Sequence, residues 1–273
     1  MIISHQHRFI FAAVPKTGTH SVRQALREHM SQDDIEQVGL FVNKRFPYEE
    51  LAAIRHGHLS LQQVRPFLGE DMFAGYFKFA FVRNPFDRFV SYCAFMSRDS
   101  GHFATNPQAV MRYFLFDAPP EQHILFQPQS SLLVDGDGRL LTDMVGRVET
   151  MQDSYEAICA RIGIPARVLD QVNSSRRGDY RSYYTDELRE AVATRYRNDI
   201  DADADGNLTW GEIRATWPAI DRYIAARVQV DGCRWTSATR ALERRADGVY
   251  AALTWSGSCT SAAVPPVIRY VAL

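Results

Sequence analysis

The stretch RFIFAAVPKTGTHSVRQALREH, residues 8–29, decides the fold of this chain. Residues 8–14 are a short, continuous apolar run with aromatic and β-branched side chains, which is typical of a buried strand in a parallel sheet. Residues 15–19 form a loop, and residues 21–29 carry apolar side chains at helical spacing. The sequence therefore predicts a strand, a loop and a helix in this order.

The same order recurs further along the chain. Residues 77–82, FKFAFV, predict a second buried strand, and a helix is predicted over residues 86–96. Apolar spacing predicts further helices over residues 61–68, 107–116, 155–162 and 185–199. Because strands alternate with helices, we predict an α/β fold, P-loop-like and three-layered, with a central parallel sheet. The Asp135–Gly138 segment, DGDG, lies between two apolar pairs and predicts a hairpin turn, with a metal-binding turn as the alternative.

The composition of the sequence changes near residue 199, and we place a domain boundary there. Residues 1–199 form the predicted anion-binding domain, and residues 200–224 contain an acidic loop and a following helix. Residues 225–273 form a C-terminal extension with no predicted role, and their end is rich in Ala, Ser, Thr and Val. We expect the appendage after residue 199 to be small and mostly helical.

The composition of the 273-residue chain excludes several classes of protein. Hydrophobic residues make up 46% of the chain and aromatic residues 12%, enough for a full core. A formal net charge of −1 argues against nucleic-acid binding and against a polybasic membrane binder. The sequence contains neither a membrane-spanning run of about 18 apolar residues nor a signal-peptide pattern at its start. We expect a cytoplasmic protein whose four scattered cysteines are reduced.

Residues 15–21, PKTGTHS, have the chemistry of an anion-binding loop. Gly18 allows a sharp turn and a close approach of the backbone, and the N–H groups that begin the helix favour negative charge. Lys16 adds a positive charge, and hydroxyl donors come from Thr17, Thr19 and Ser21. The alternative is an ordinary turn whose hydroxyls cap the helix. Because no Gly-Lys-Ser/Thr sequence follows, we expect the anion to be held without a metal.

A second polar cluster follows the strand at residues 77–82. Arg83 ends this strand and Ser91 lies on the next helix, at the edge of the sheet where such folds bind ligands. An arginine and a serine placed in this way can bind a second phosphate through charge-assisted hydrogen bonds. Arg88 is three residues before Ser91 and shares its helix face. The alternative is that Asp87 and Arg88 only pair with neighbours at the surface.

Together, the two clusters resemble the sulfotransferases that use 3′-phosphoadenosine 5′-phosphosulfate (PAPS). PKTGTHS is similar to the 5′-phosphosulfate loop of that family, and FKFAFVRNPFDRFVSYCAF, residues 77–95, is similar to its 3′-phosphate segment. The resemblance covers about residues 8–200 and is closest to the carbohydrate O-sulfotransferases of the uronyl and chondroitin type. It implies a PAPS-binding domain over residues 1–199 and transfer of a sulfuryl group to an acceptor hydroxyl, expected on a carbohydrate, by in-line displacement.

The resemblance assigns roles to individual residues. It places the 5′-phosphosulfate against Pro15, Lys16, Thr17, Gly18, Thr19, His20 and Ser21, although the family usually has a small residue at position 20. Lys16 is also a catalytic candidate, expected at the bridging oxygen. Arg83 and Ser91 would hold the 3′-phosphate, and a late loop places Arg176, Arg177 and Gly178 beside it. Three tyrosines would pack over the donor: Tyr180, Tyr183 and Tyr184.

The sequence HGHLS, residues 56–60, matches an H-G-H element of the uronyl-type enzymes. In those enzymes the second histidine is proposed as the general base, so the resemblance makes His58 the base candidate and His56 the second. An imidazole suits this role because its unperturbed pKa is about 6.5. Two weaker similarities are the acceptor-site segment at Gln127-Pro128-Gln129 and a turn at residues 146–149.

Residues 201–212, DADADGNLTWGE, fit the EF-hand pattern at every specified position. The pattern predicts oxygen ligands around a sharp turn at Gly206, and the calcium ligands it names are Asp201, Asp203, Asp205, Asn207 and Glu212. We expect one structural calcium ion that ties the appendage to the first domain. The alternative is an acidic turn that binds no metal.

Two other functions remain open from the sequence. One is a nucleotide or small-molecule kinase of related fold, against which the missing Gly-Lys-Ser/Thr sequence argues. The other is a calcium-binding module with a vestigial donor site. The acceptor is expected to be a hydroxyl-bearing molecule, and the net charge of −1 gives no support for a polyanionic one. The sequence predicts no oligomeric state.

Overall fold

The computed structural model describes residues 1–37, 47–54, 56–170, 178–201, 234–245, 248–259 and 262–272. The chain divides into two compact units, Met1–Asp199 and Ile200–Leu273, which are described separately. For the strands of the second unit only the backbone pairing is considered.

The described part of the first unit contains a five-stranded sheet in the order β3-β1-β2-β4-β5. Its strands are β1 (Ile2–Ser4), β2 (Phe9–Ala12), β3 (Ile35–Glu36), β4 (Phe77–Val82) and β5 (Met144–Arg147). Strand β4 pairs in parallel with β2, with Phe9 opposite Phe77, and in parallel with β5, with Phe79 opposite Met144. Strand β1 runs antiparallel to both β2 and β3. The carboxyl ends of β2, β4 and β5 therefore meet at one edge, where ligands bind in folds of this kind.

Helices surround the sheet. Their bounds are α1 (Thr19–Arg27), α2 (Glu49–Ala52), α3 (Leu61–Leu68), α4 (Glu70–Gly75), α5 (Pro85–Met96), α6 (His102–Thr105), α7 (Pro107–Arg112), α8 (Met151–Ile162), α9 (Asp186–Arg195) and α10 (Arg197–Asp201). Local signals explain where several of them begin. Ser60 and Gln63 form a capping box for α3, and Thr185 accepts a hydrogen bond from the N–H of Leu188 at the start of α9.

Alternation along the central strands builds a core on each face of the sheet, because successive side chains of a strand point to opposite faces. Ile10, Ala12 and Ala80 pack into one cluster with residues of α3 and α4. Phe11, Phe79 and Phe81 pack into another cluster with residues of α1 and α8. The first unit is thus a mixed α/β fold with helices on both faces of a mostly parallel sheet, which confirms the predicted fold class.

Two predicted helices differ from the structure. The helix predicted over residues 107–116 is α7 followed by a π-helical turn, Tyr113–Asp117, in which the N–H of Ala118 donates to the carbonyl of Tyr113 at 2.8 Å. The helix predicted over residues 185–199 is divided at Tyr196 into α9 and α10. Apolar spacing over a single turn does not distinguish a π turn from an α turn, so side-chain periodicity missed both changes.

The predicted hairpin at residues 135–138 is confirmed. Val134 and Leu140 form an antiparallel bridge, and the N–H of Asp135 donates to the carbonyl of Arg139 at 2.9 Å. The Asp135 carboxylate accepts from the N–H groups of Asp137 and Arg139, each at 2.9 Å, so this side chain shapes the turn.

The second unit contains three described strands: β6 (Arg234–Arg245), β7 (Gly248–Cys259) and β8 (Ala262–Ala272). They pair antiparallel in the order β6-β7-β8. This described part is a sheet, whereas we expected a mostly helical appendage. Residues 248–259 and 262–272 are weakly charged runs separated by two residues, a hairpin signal that the helical interpretation overlooked. Residues 202–233, which include most of the predicted calcium loop and the helix after it, lie outside the described residues.

Candidate active site

The loop between β2 and α1 has the backbone of an anion-binding turn. Gly18 has a φ of 70° and Lys16 a φ of 67°, so both residues adopt the left-handed conformation. For a residue other than glycine, such as Lys16, this conformation costs about 1–3 kcal/mol, and strain of this kind clusters at functional sites. A Cβ atom at Gly18 would lie 2.7 Å from Cε of Met151, the end of a flexible side chain that can shift, so the left-handed φ rather than lack of space favours glycine here.

The start of α1 distinguishes between an anion-binding loop and an ordinary turn whose hydroxyls cap the helix. Gly18 is the N-cap, and no described side chain accepts a cap hydrogen bond there. The hydroxyl of Thr17 is buried and donates to the carbonyl of Val14 at 2.9 Å, so its hydrogen is used within the turn. The hydroxyls therefore do not cap the helix as the alternative required. The N–H of Ser21 donates to the carbonyl of Gly18 at 3.1 Å, so the N–H groups that precede it are the ones left to a ligand or to solvent, as in anion-binding loops.

The charge of Lys16 lies beside an exposed aromatic ring. Its Nζ is 4.1 Å from the centroid of the Phe95 ring, within the range of a cation–π contact. Phe95 is 37% exposed, and the guanidinium carbon of Arg98 lies 4.7 Å from the same ring centroid. Sequence reasoning missed Phe95, although its position four residues after Ser91 places both residues on one face of α5.

Arg83 connects the polar cluster after β4 with the anion-binding loop after β2. Its Nη1 lies 3.5 Å from the carbonyl oxygen of Lys16, so the end of β4 meets the loop that follows β2. Its Nη2 is 2.6 Å from the carboxylate of Asp87, and its Nε donates to the same oxygen at 2.8 Å. Arg83 is therefore held in place by a carboxylate, and an incoming phosphate would share or replace that contact.

The backbone of Arg83 is fixed by the amide side chain of Gln129. The N–H of Arg83 donates to Oε1 of Gln129, and Nε2 of Gln129 donates to the carbonyl of Arg83, both at 2.9 Å. The N–H of Gln129 in turn donates to Asp199 at 2.8 Å. From the sequence, Gln129 was expected only in a segment near the acceptor. Its hydrogen bonds show that it fixes the backbone at the end of β4.

Arg88 is a structural residue of the site. Its side chain is buried, its Nε donates to the carbonyl of Pro15 at 3.1 Å, and its Nη2 donates to the carbonyls of Leu125 and Gln127. Burial lowers the pKa of this guanidinium. Arg88 thus fastens α5 to the anion-binding loop. The alternative of surface pairing is wrong for Arg88, and Asp87 pairs with Arg83 instead.

Helix α5 begins differently from α1. Oδ1 of Asn84 accepts hydrogen bonds from the N–H groups of Phe86 and Asp87, at 3.0 and 3.4 Å, so its own side chain caps this helix. Pro85 occupies the first turn as the sequence predicted. Ser91 is buried on this helix, two turns after Arg83. The contribution of α5 to a phosphate site consequently comes from side chains rather than from its N-terminus.

His58 is held against the strand that leads into the anion-binding loop. Its Nδ1 lies 2.7 Å from the carbonyl oxygen of Ala13. A carbonyl oxygen only accepts, so Nδ1 of His58 carries the proton and its Nε2 has a free lone pair when the ring is neutral. Burial, followed by weaker charge effects that include Arg23, lowers the pKa of His58 to about 3, although the hydrogen bond to Ala13 opposes this shift.

His56 has the opposite tautomer. Its Nδ1 accepts a hydrogen bond from the backbone N–H of His58 at 3.3 Å, so the neutral ring carries its proton on Nε2. The two rings are 6.0 Å apart between centroids. Burial lowers the pKa of His56 as well. Only His58 therefore presents a ring nitrogen that can accept a proton in this arrangement.

The pKa of His20 is affected by the positive charges around the loop. This side chain is exposed, and its pKa is lowered first by desolvation and then by Arg23, Arg27 and Lys16. Three cations therefore act on one position at the start of α1. Arg23 and Arg27 are both ion-paired to Glu36, so Lys16 is the cation that belongs to the loop itself and suits a phosphate or a phosphosulfate.

The remaining predicted residues are less informative. Gly178 is exposed, and Arg176 and Arg177 lie outside the described residues. Tyr184 donates its hydroxyl to the carbonyl of Phe86 at 2.8 Å, and the Tyr183 ring lies 5.4 Å from that of Phe103. These two tyrosines thus pack on α5 and α6. Of the predicted calcium ligands, Asp203, Asp205, Asn207 and Glu212 lie outside the described residues, and for Asp201 only the backbone is described, at the end of α10.

None of the helices in the described residues is long and apolar enough to cross a membrane. No cluster of histidine, cysteine, aspartate or glutamate side chains within the described ranges has the arrangement of a metal site. A cavity of about 390 Å³ is lined by residues of α6, α7 and the π-helical turn together with Ser97, and it contains none of the predicted site residues.

The fold places a lysine, an arginine and a histidine beside a strand–loop–helix turn at the sheet edge, an arrangement that suits an anionic group. The model of the sulfotransferase family matches residues 1–202, so the chain belongs to the sulfotransferase family and is a transferase of sulfuryl groups. No curated protein matched the chain. No solved structure matched it either.

Proposed function

We propose that this sulfotransferase transfers the sulfuryl group of PAPS to a hydroxyl group of a carbohydrate, with His58 as general base. One observation carries the proposal: three predicted functional groups converge on the loop after β2. Arg83 reaches the carbonyl of Lys16, and His58 is bonded to the carbonyl of Ala13, three residues before Lys16. Residues that are far apart in the sequence are thereby placed around one anion-binding turn.

The described residues fit the two charged ends of PAPS. The open N-terminus of α1, the absence of a side chain at Gly18 and the charge of Lys16 suit the 5′-phosphosulfate. Arg83 and the buried Ser91 suit the 3′-phosphate, since a guanidinium forms two charge-assisted hydrogen bonds to such a group. The contact between Arg83 and Lys16 supports binding of one molecule across both segments.

The reaction would proceed by direct displacement. The acceptor oxygen forms a bond to sulfur while the bond between sulfur and the bridging oxygen breaks, and that electron pair leaves with 3′-phosphoadenosine 5′-phosphate. His58 takes the acceptor proton on Nε2. Lys16 and the first N–H groups of α1 stabilise the negative charge that develops on the leaving phosphate.

The assignment of His58 rather than His56 follows from their tautomers. His58 donates from Nδ1 to Ala13, so its Nε2 accepts a proton, whereas neutral His56 carries a proton on Nε2 and can only donate there. His56 would then bind an oxygen of the acceptor or of the sulfuryl group. We expect His58→Gln to lower kcat by about a hundredfold or more and His56→Gln to lower it less.

A carbohydrate acceptor is supported by the exposed Phe95 ring beside Lys16, because an aromatic face offers a sugar ring a flat apolar surface next to the reacting group. The resemblance to carbohydrate O-sulfotransferases supports the same class. The kinase alternative is not favoured, since the family match is to sulfotransferases. A cytoplasmic location remains a proposal that rests on the sequence pattern.

The test uses purified full-length protein. Donor binding is measured by thermal shift with 3′-phosphoadenosine 5′-phosphate and, separately, with ATP. At a hundred times its Kd, the first ligand should add about 2.7 kcal/mol of stability, and ATP should add much less. Transfer is then measured with labelled PAPS and a panel of neutral and uronate-containing saccharides, phenols and alcohols. Equal stabilisation by ATP, or label transferred only to non-carbohydrate acceptors, would contradict the proposal.

Lys16→Ala and Arg83→Ala separate the proposed roles. Loss of Lys16 should lower kcat by about a hundredfold or more, because a charge that acts on the leaving group is removed. Loss of Arg83 should mainly raise the KM for PAPS, because the 3′-phosphate takes no part in the bond changes. Arg112→Ala, a change at an exposed ion pair with Glu187, is the control.

The calcium site stays a proposal that the sequence pattern of residues 201–212 alone supports. We propose that its carboxylates hold one structural calcium ion. In the sulfuryl-transfer reaction this ion would take no part.

A further inference from the structure

Ile54 and residues 56–58, the segment that carries both histidines, are held by buried polar side chains from elsewhere in the fold. Arg23 lies on α1, two residues after Ser21, and is only 5% exposed. Its Nη2 donates to the carbonyl of Gly57 at 2.9 Å, and its Nη1 donates to the carbonyl of Gln37 at 2.8 Å. The residue between the two histidines is thus bonded to the helix that begins at the anion-binding loop.

Gln37 holds the same segment from the other side. Its buried side-chain amide nitrogen lies 2.8 Å from the carbonyl of Ile54, 3.0 Å from that of Leu51 and 3.2 Å from that of His56. The Met1 nitrogen also donates to Gly57, at 2.7 Å. We call Arg23 and Gln37 the brace, because together they fix the carbonyls of Ile54, His56 and Gly57.

Glu36 is the counter-ion of Arg23, and it has a second partner. Its Oε1 lies 3.2 Å from Nη1 of Arg23, while Arg27 donates to both of its carboxylate oxygens, at 2.8 and 3.0 Å. The charge of Glu36 is therefore balanced by Arg27 without Arg23. The contacts of Arg23 that Arg27 does not duplicate are those to the carbonyls of Gln37 and Gly57.

We propose that Arg23 is a positioning residue for the base: by holding the carbonyls of Gly57 and Gln37 it keeps the His58 ring bonded to Ala13, with Nε2 directed to the acceptor. The proposal rests on the proposed function of His58. A guanidinium suits the task because its fixed fork reaches Glu36, Gln37 and Gly57 together, which the single ammonium of a lysine does not.

The charged groups around His58 oppose protonation of its ring. The ring faces the carbonyl of Ala13, the imidazole of His56, the Arg23 guanidinium and the amino group at Met1. Arg23 lowers the pKa of His58, so its positive charge opposes protonation of the ring. Loss of Arg23 should loosen the bond between His58 and Ala13, and because that bond raises the pKa of His58 while Arg23 lowers it, the two effects on the pKa oppose each other and the tautomer of His58 is the quantity to measure.

The experiment compares Arg23→Lys, which keeps the charge, and Arg23→Gln with Arg27→Gln, which removes the other partner of Glu36 but no contact to the loop. In the full-length protein, Arg23→Lys and Arg23→Gln should lower kcat about tenfold or more while the KM for PAPS stays within about twofold, as expected for a misplaced base. Arg27→Gln should leave both constants near those of wild type.

A second measurement tests the effect of the brace on the His58 ring independently of turnover. Nitrogen-15 NMR of the histidine rings, with His58→Gln to assign the signals, should show His58 as the Nδ1–H tautomer in wild type and in Arg27→Gln. Arg23→Lys and Arg23→Gln should give a mixture of tautomers. If the wild-type protein transfers no sulfate while the two Arg23 variants show these NMR changes, the proposed function is refuted and the role of the brace in positioning His58 still holds.

Three outcomes would overturn the brace. The first is an Arg23→Lys protein whose kcat and His58 tautomer both match wild type. The second is a loss confined to the KM for PAPS, which would assign Arg23 to donor binding. The third is an Arg23→Lys protein that does not fold by circular dichroism, because Arg23 would then serve the fold rather than the base.

Discussion

At the scale of single residues, the surroundings of each side chain determine its chemistry. His56 and His58 have the same side chain and are separated by one glycine, yet their Nδ1 atoms make opposite hydrogen bonds. One ring is left with an unprotonated Nε2 that can accept a proton and the other with an Nε2–H donor. The H-G-H sequence identified both candidates, but their hydrogen-bond partners distinguish the roles.

The first prediction concerns the pH dependence of activity. A general base works only when unprotonated, so kcat/KM falls as pH drops through the base pKa of the free enzyme. Because the pKa of His58 is lowered to about 3, kcat/KM should stay level from pH 8 to well below 6.5. The pH profile of His58→Gln provides the comparison. An acid limb at pH 6.5 or above that disappears in this variant would contradict the lowered pKa.

The second prediction concerns Gly18. Alanine at this position would adopt a left-handed φ, at a cost of about 1 kcal/mol, and would press on the end of Met151. Gly18→Ala should therefore lower the melting temperature and weaken binding of 3′-phosphoadenosine 5′-phosphate about tenfold or more. Gly101→Ala, with a φ of 68° and nothing within 4 Å of the new Cβ, should lose stability without losing affinity. Calorimetry of both variants measures the difference, and equal affinities would count against the close approach at Gly18.

At the scale of elements, α1 and α5 both follow parallel strands but serve the site differently. The N-terminus of α1 has no cap hydrogen bond from a described side chain, whereas Asn84 caps α5. Helix α5 instead contributes side chains, and Arg88 fastens it to the loop before α1. The site is therefore built from one helix end and one helix face.

The third prediction concerns this fastening. Arg88→Met would leave the carbonyls of Pro15, Leu125 and Gln127 without their donor in a buried region, and we expect a loss of about 3 kcal/mol in the free energy of unfolding. Urea unfolding with an unchanged m-value measures this loss. Arg112→Met, at an exposed ion pair, should change the stability by no more than about 0.5 kcal/mol. Similar losses in both variants would show that Arg88 is not a fastening residue.

At the scale of the whole molecule, the resolved pKa shifts of histidines and carboxyl groups have one sign. The pKa values of His20, His56 and His58 are lowered, chiefly by burial. Those of Asp34, Glu70 and Glu121 are lowered by hydrogen bonds. In both classes the unfolded chain binds more protons than the folded chain below the unperturbed pKa.

The fourth prediction is that stability falls as the solution becomes acidic. Between pH 6.5 and about 3, protonation of histidines favours the unfolded chain, and carboxyl groups add to the loss below their unperturbed pKa of about 4. Urea midpoints at pH 7.5, 6 and 5 should decrease in this order. The decrease between pH 7.5 and 5 should be smaller in His58→Gln, and a stability maximum below pH 6 would refute the assigned directions.

The fifth prediction belongs to the calcium proposal. Titration calorimetry of the whole chain should show one calcium ion bound, and Glu212→Gln should remove or strongly weaken the heat, because the last loop position supplies two oxygens. Asp135→Asn, in the hairpin turn of the first unit, should leave the heat unchanged. The absence of binding at millimolar calcium would end the proposal.

The sequence by itself determined the local elements and their chemistry. Apolar runs predicted β2 and β4, Gly18 marked the turn, and the loop residues indicated an anion, because these properties depend on neighbours within a few residues. Tertiary structure decided what each polar group does. The partners of Arg88, Arg23 and Gln129 lie tens of residues away in the chain, so only the folded chain brings them together. The strands of the second unit pair with the next segment along the chain, and apolar spacing within one segment does not show that pairing.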